Sequence, residues 1–199
     1  MASMSRSPVP SVVLAAALSA CVLEPELLNS ERIEERFGNY GIEVLFQDGN
    51  LRRSNLYSTN DGLRTCRTYA LVQFTDAPPA GIQASHQAVL SGQSLGSTFR
   101  DAGWSIIKES LFVGGVTLSS PDSEVVNLMR ISLREQLAMH AYRLVLERDA
   151  LIVHYATIIE VHHPDYLGPD ELEELYEVAA VDSVDARAID AFVDLVQSD

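Results

Sequence analysis

Two Asp-Gly pairs constrain this chain more than any other feature. Asp48-Gly49 and Asp61-Gly62 each sit between runs rich in β-forming residues. An Asp-Gly pair in that setting is a strong signal for a tight hairpin turn. Ile42 to Phe46 leads into the first pair, Leu51 to Ser58 lies between the two, and Leu63 to Thr75 follows the second. The last run alternates along most of its length. Alternation assigns Cys66, Thr68, Ala70, Val72 and Phe74 to one face and Thr65, Arg67, Tyr69 and Gln73 to the other. The expectation is an antiparallel meander with one apolar and one polar face.

Ala77-Pro78-Pro79-Ala80-Gly81 breaks this pattern. Helical segments are predicted from about 82 to 102, interrupted near Ser91-Gly92, with Ser94 capping the second piece. Upstream, Ser30 caps a short helix through Phe37, and Gly38 stops it. Trp104 to Leu118 reads as a strand, and Ser120-Pro121-Asp122 opens a short helix to Met129. Gln136 to Glu147 and Leu151 to His162 form a hairpin around Arg148-Asp149-Ala150. Leu172, Leu175, Val178 and Ala179 mark one amphipathic helix, and Ile189, Phe192, Val193 and Val196 mark a last one. Helices do not alternate with every strand, so the expected class is α+β, a mostly antiparallel sheet with helices packed on it.

The first 21 residues predict a location. Val12 to Ala20 is apolar, too short to span a bilayer as a helix, and ends in small residues. Leu18-Ser19-Ala20-Cys21 reads as a bacterial lipobox. The expected organisation is a lipoprotein signal peptide over 1–20, a tether over 21–29, one α+β domain over 30–168 and acidic helices over 169–199. Acylated Cys21 would hold the mature chain on a membrane. Val22, where inner-membrane lipoproteins carry Asp, favours the outer membrane facing the periplasm. The alternative is an unprocessed N-terminus that happens to contain a cysteine. The remaining cysteine, Cys66, reads as a small buried hydrophobe; a catalytic thiol is the sharper reading, and no nearby group in the sequence would activate it.

Charge narrows the partners. The formal net charge is -14, which opposes nucleic acid binding and attraction to anionic headgroups. Acid is concentrated from Pro169 to Asp199, where Arg187 is the only cation. That stretch reads as a solvated helical tail or as a docking surface for an envelope protein partner.

The order of elements in the second half resembles a known family. Ser94-Leu95-Gly96-Ser97-Thr98-Phe99-Arg100-Asp101-Ala102-Gly103 is similar to the helix-then-glycine entry of UTRA domains, the effector-binding modules of GntR-type regulators. Trp104 to Lys108, Ser123 to Leu128, Tyr142 to Arg148 and Tyr155 to Pro164 then take the places of the strand, short helix and long hairpin that follow. The resemblance covers roughly 41–168 and implies the fold shared by UTRA domains and chorismate lyase. The preceding residues carry no winged-helix pattern, so DNA binding is not carried over. Where the family has a glycine in the hairpin turn this chain has Arg148-Asp149-Ala150. Where it has an acid before the final proline this chain has Ile159, with Glu160 beside it.

Alternation across the second hairpin places Arg143, His154, Glu160 and His162 on one sheet face, with Arg67 joining if the sheet curls. A guanidinium grips carboxylates in a bidentate way, so Arg67, Arg143, Glu160 and His162 are the candidate contacts for a small anionic ligand. The alternative is an exposed face with ordinary cross-strand ion pairs. His162 and His163 point to opposite sides and His154 is too far along the strand, so no metal is expected. No nucleophile elbow and no phosphate-binding loop occurs, and no catalytic residue or cofactor is assigned. The expected function is a lipid-anchored, non-catalytic module that binds a small ligand or partner. The alternatives are a chorismate lyase-like enzyme for a small carboxylated substrate and a structural envelope subunit docking through 169–199.

Overall fold

A computed structural model describes residues 27–176 except 119, 120, 122 and 133. The leader, Cys21, the start of the tether, Ser120, Asp122 and both amphipathic patterns beyond 176 lie outside the described residues. The chain is α+β. Its strands are β1 (Gly41–Asp48), β2 (Leu51–Asn60), β3 (Leu63–Phe74), β4 (Ser105–Thr117), β5 (Gln136–Arg148) and β6 (Leu151–His162). They form one sheet in the order β1-β2-β3-β6-β5-β4, with every neighbouring pair antiparallel. The meander expected from the two Asp-Gly turns is β1-β2-β3, and the second hairpin brings β6 back against β3.

Helices α1 (Asn29–Phe37), α2 (Gln83–Leu90), α3 (Leu95–Asp101) and α5 (Pro169–Leu175) pack on one sheet face, and α4 (Glu124–Met129) packs on the other. Helix α1 starts one residue before the expected cap: the Glu31 carboxylate reaches back to the Leu28 N–H at 2.9 Å, and Ser30 lies inside the helix. Gly38, at φ 76°, supplies the left-handed residue that ends it. Pro169 opens α5, and the Glu171 carboxylate accepts from the Gly168 N–H at 2.9 Å.

On the face covered by α1, α2, α3 and α5, rows of side chains run across the central strands. Thr68, His162 and Ala138 form one row, Ala70, Glu160 and His140 the next, and Val72, Ile158 and Tyr142 a third. Two apolar clusters share this face: one around Phe74, Phe99, Leu146 and Tyr155 under α2 and α3, the other around Ile33, Leu56, Ala138 and Leu172 under α1 and α5. The far face holds a third cluster with Cys66, Tyr69, Leu71, Met139 and Val161 beneath Val125 and Met129 of α4. Central β3 is therefore buried on both sides. The polar face expected for it does not exist at Tyr69, whose ring is in this core and whose hydroxyl donates to Glu124 at 2.7 Å.

Bulges correct the sequence-based faces in two places. In β3, Cys66 pairs with Tyr57 and Thr68 with Leu56, so Arg67 is an extra residue. The two residues of a bulge share a side. Arg67 thus joins Thr68 on the helix-covered face, stacking on Phe37 of α1 at 3.8 Å, and Cys66 falls on the far face. In β6, Val145 pairs with His154 but Leu144 pairs with Ala156, so Tyr155 is extra. Tyr155 and Ala156 both enter the helix-side core. Beyond that point the parity of β6 against β5 is reversed.

Candidate functional site

The two apolar clusters of the helix-covered face do not meet. Between them a partly enclosed cavity runs across the sheet, roofed by the first turns of α1 and α3. The volume open to the centre of a water molecule is about 80 Å³, room for roughly three waters. Its floor is Ala70, Val72, Tyr142, Leu144 and Ile158, and its roof includes Leu28 and Leu95. The walls are mostly apolar, with polar groups at defined positions. This is the usual constitution of a site for a small organic ligand.

Arg52 of β2 is the strongest of those groups. It is 2% exposed. Its Nε donates to Ser54 Oγ at 2.8 Å, and Nη1 donates to the Val89 carbonyl at 2.6 Å. Nη1 and Nη2 also reach the Gln93 carbonyl, each at 3.4 Å. Every one of these partners is neutral, and among the described residues no carboxylate lies in ion-pair range. Burial lowers the pKa of this guanidinium, against a smaller upward pull from Tyr40 and Tyr155. An arginine remains charged under such conditions, so the cavity wall carries a buried positive charge without a counter-ion. A buried charge in that state is costly unless something pairs with it.

Glu160 of β6 faces the same cavity at 6% exposure. Asn29, the first residue of α1, positions it. The Asn29 Nδ2 donates to Glu160 Oε1 and to Thr68 Oγ1, both at 3.1 Å, while its Oδ1 accepts from the Tyr166 hydroxyl at 2.6 Å. Both amide hydrogens are used, and the side chain ties the cavity roof to its floor. Tyr40 adds a buried hydroxyl that makes no hydrogen bond of good geometry among the described residues. Burial raises its pKa, while Ser94 lies close enough to pull it down. Lys108 of β4 closes the opposite end, its Nζ donating to the Tyr176 hydroxyl at 2.8 Å.

The four residues marked by strand alternation do not assemble as one site. Glu160 lines the cavity. His162 shares its face, and its Nδ1 lies 3.0 Å from Thr68 Oγ1, which also meets Asn29. Arg67 is on this face too, but it is committed to Ser58 Oγ at 2.8 Å and to the Phe37 ring, away from the cavity. Arg143 is on the far face: the Tyr155 bulge makes it pair with Thr157, and it is exposed. His154 is exposed beside it in a shallow, open groove with Gln73 and Asp76.

Arg52 escaped the sequence reading, although a signal for it exists. Arg52-Arg53 in a strand must send one guanidinium to each face, and Arg52 is in step with Ser54 and Leu56. In a sheet covered on the side of Leu56, that arginine is the buried one. Tyr40 and Asn29 had no such signal, because their roles depend on how α1 settles.

Among the described residues, no three His, Cys, Asp or Glu side chains are grouped to hold a metal ion. Cys66 is 1% exposed, and burial pushes its thiol far up, away from the thiolate that nucleophilic chemistry needs. No described helix is long and apolar enough to cross a membrane. No family model matches the chain, and no curated protein matches it.

Proposed function

We propose that this domain is a non-catalytic binding module for a small carboxylate-bearing ligand, of UTRA/chorismate lyase-like architecture. The observation that carries the reading is Arg52, a buried cation on the wall of an apolar cavity whose protein partners are all neutral. A ligand carboxylate would supply the missing counter-charge, and a charge-assisted bond of that kind is among the strongest available. Glu160 and Tyr40 offer an acceptor and a hydroxyl for a second polar group. The cavity, about 80 Å³, is about half the size of an engineered one that holds benzene, so a ring-sized ligand would extend through its open side. The resemblance through Ser94–Gly103 and the hairpin to Pro164 supports the same reading, as does an antiparallel sheet with its site under helices α1 and α3.

The test is a panel of small carboxylates headed by benzoate, scored by thermal shift at pH 7.5. Wild type gains melting temperature with benzoate and Arg52→Met does not. An absence of shift with every carboxylate, or an equal shift in Arg52→Met, overturns the proposal. One observation favours a second reading as a chorismate lyase-like enzyme: Glu160 brings a buried carboxylate to the cavity wall. Conversion of chorismate by the purified protein would replace the binding role by that one. The lipobox Leu18–Cys21 supports a place on the periplasmic side of the outer membrane through acylated Cys21, which mass spectrometry of the native N-terminus tests. The acidic composition of 169–199 supports the structural-subunit reading; since Leu172 of α5 belongs to the core, the test is deletion of 177–199, and loss of co-purifying envelope proteins with no small-molecule shift would favour it.

A further inference from the structure

Two histidines lie just outside the cavity, under its cap. His140 on β5 and His162 on β6 are 0% and 2% exposed. Each has one ring nitrogen held by a hydroxyl and one without any partner among the described residues. His140 Nε2 lies 3.0 Å from Ser110 Oγ, and its Nδ1 is unpaired; His162 Nδ1 meets Thr68 Oγ1, and its Nε2 is unpaired. Thr68 Oγ1 accepts from Asn29 and lies 3.0 Å from His162 Nδ1, a contact in which either group can donate.

The chain of contacts is therefore His162, Thr68, Asn29, Glu160 and then the cavity. Tyr166 holds Asn29 from the other side, and its ring meets the His162 ring edge-on at 5.7 Å. Tyr176, just past α5, stacks on His140 with ring centres 4.1 Å apart, and Arg32 of α1 lies over the Tyr176 ring. Helices α1 and α5 thus form one cap over both imidazoles, and the first turn of that cap is the roof of the cavity. Facing the pair are Lys108 from β4, Tyr142 from β5, Glu160 from β6, Arg32 from α1, Tyr166 from the loop after β6 and Tyr176 after α5. Strand β3 contributes the Thr68 hydroxyl, its Arg67 being turned to Phe37. Lys108 and Arg32 oppose a positive charge on His162, and Glu160 is engaged by Asn29.

We propose that the α1–α5 cap is acid-sensitive: proton uptake by His140 and His162 breaks the Thr68–Asn29–Glu160 linkage and lifts the roof of the cavity, so that the site holds its ligand at neutral pH and releases it on acidification. The proposal rests on the binding role given above. Protonating His162 makes both ring nitrogens donors, and Nε2, which has no partner among the described residues, becomes a buried charged donor with nothing to accept from it. It also places a cation beside His140, Lys108 and Arg32 with no water to screen it. Lifting the cap hydrates both rings. Burial in the closed state pushes both imidazoles from 6.5 down to about 3, so protons bind the open state preferentially throughout that interval. Each such histidine favours opening by up to tenfold per pH unit, about 30-fold between pH 6.5 and pH 5.

Amide hydrogen exchange reads this directly, with protection factors corrected for intrinsic rates between pH 7.5 and pH 5. The expected result is that α1 amides lose protection by 30-fold or more while those of β3 and β6 change far less. In His162→Asn, which keeps an acceptor for Thr68 and cannot be charged, the slope with pH falls by at least half. His140→Gln gives the same halving if the first variant does not fold. A pH-independent α1, or an equal loss in cap and sheet, overturns the proposal. A parallel benzoate titration separates the two ideas. Weaker binding at pH 5 in wild type but not in His162→Asn supports the switch. If no carboxylate of the panel binds at pH 7.5 the binding role is removed, while the exchange result still decides the cap.

Discussion

The two faces of this sheet carry the same kinds of side chain and put them to opposite uses. The helix-covered face holds Arg52, Glu160, His140 and His162, all buried, around and beside a cavity. Among the described residues, the far face is covered by α4 over one half only, and its other half leaves Arg143 and His154 exposed. An exposed guanidinium is hydrated and screened, and an ion pair it makes is worth little. A buried one has given up its water, so whatever completes its bonding matters greatly. Burial, more than residue type, decides where recognition can be expected.

The sharpest way to break this contrast is acid. His140 and His162 are buried neutral, with values depressed from 6.5 to about 3. For a base whose pKa is lowered by folding, the unfolded chain binds more protons below 6.5. Stability is therefore complete above pH 6.5 and falls as the pH drops toward 3. At pH 5 the loss is about 2 kcal/mol for each histidine, about 4 kcal/mol in all. Urea denaturation at pH 7.5 and pH 5 measures it. The double variant His140→Gln, His162→Asn should show a much flatter profile, and an unchanged profile would mean that these rings are not the sensitive groups.

The next effect belongs to Arg52. Truncation to Ala removes a buried side chain and leaves Ser54 Oγ and the Val89 and Gln93 carbonyls without their donor. The expected cost is about 3 kcal/mol, read from the urea midpoint at pH 7.5. A cost below about 1 kcal/mol would mean that water replaces the guanidinium, and the cavity would then be wetter than its apolar walls imply.

The order of the elements, both early hairpins, the return hairpin and the antiparallel class were legible in the residues, because turn chemistry and alternation are local. The site was not, and the reason is the same in both halves of the sheet. An extra residue at Arg67 and another at Tyr155 reverse the alternation, and neither Cys66-Arg67-Thr68 nor His154-Tyr155-Ala156 carries a local mark of a bulge. Counting parity from the Asp149-Ala150 turn gives the right face as far as Val145 and His154. It then gives the wrong relation between Arg143 and Glu160, because one inserted residue flips every side chain beyond it. Glu160 and His162 kept their common face because they lie on the same side of the bulge. Sheet burial was misjudged at Tyr69 for a different reason: whether β3 is covered once or twice depends on where α4 lands, which no period within β3 encodes.

The smallest effect is expected at Arg143, and it is the informative one. Strand alternation alone would place this residue beside Glu160 and make it the ligand's anchor. The Tyr155 bulge instead turns it to the solvent side of the sheet, opposite Thr157 and Glu109 on its neighbouring strands. Arg143→Ala should shift stability by no more than about 0.5 kcal/mol and leave the benzoate response of the wild type intact, in contrast to Arg52→Met. Thermal shift on the two variants side by side gives the comparison in one experiment. If Arg143→Ala lost the response and Arg52→Met kept it, recognition would lie in the open groove with His154, and the enclosed cavity would be a packing defect between two apolar clusters. The two arginines thus discriminate between the faces more cleanly than any residue of the floor, since each points to one face alone and neither is shared by the other's site.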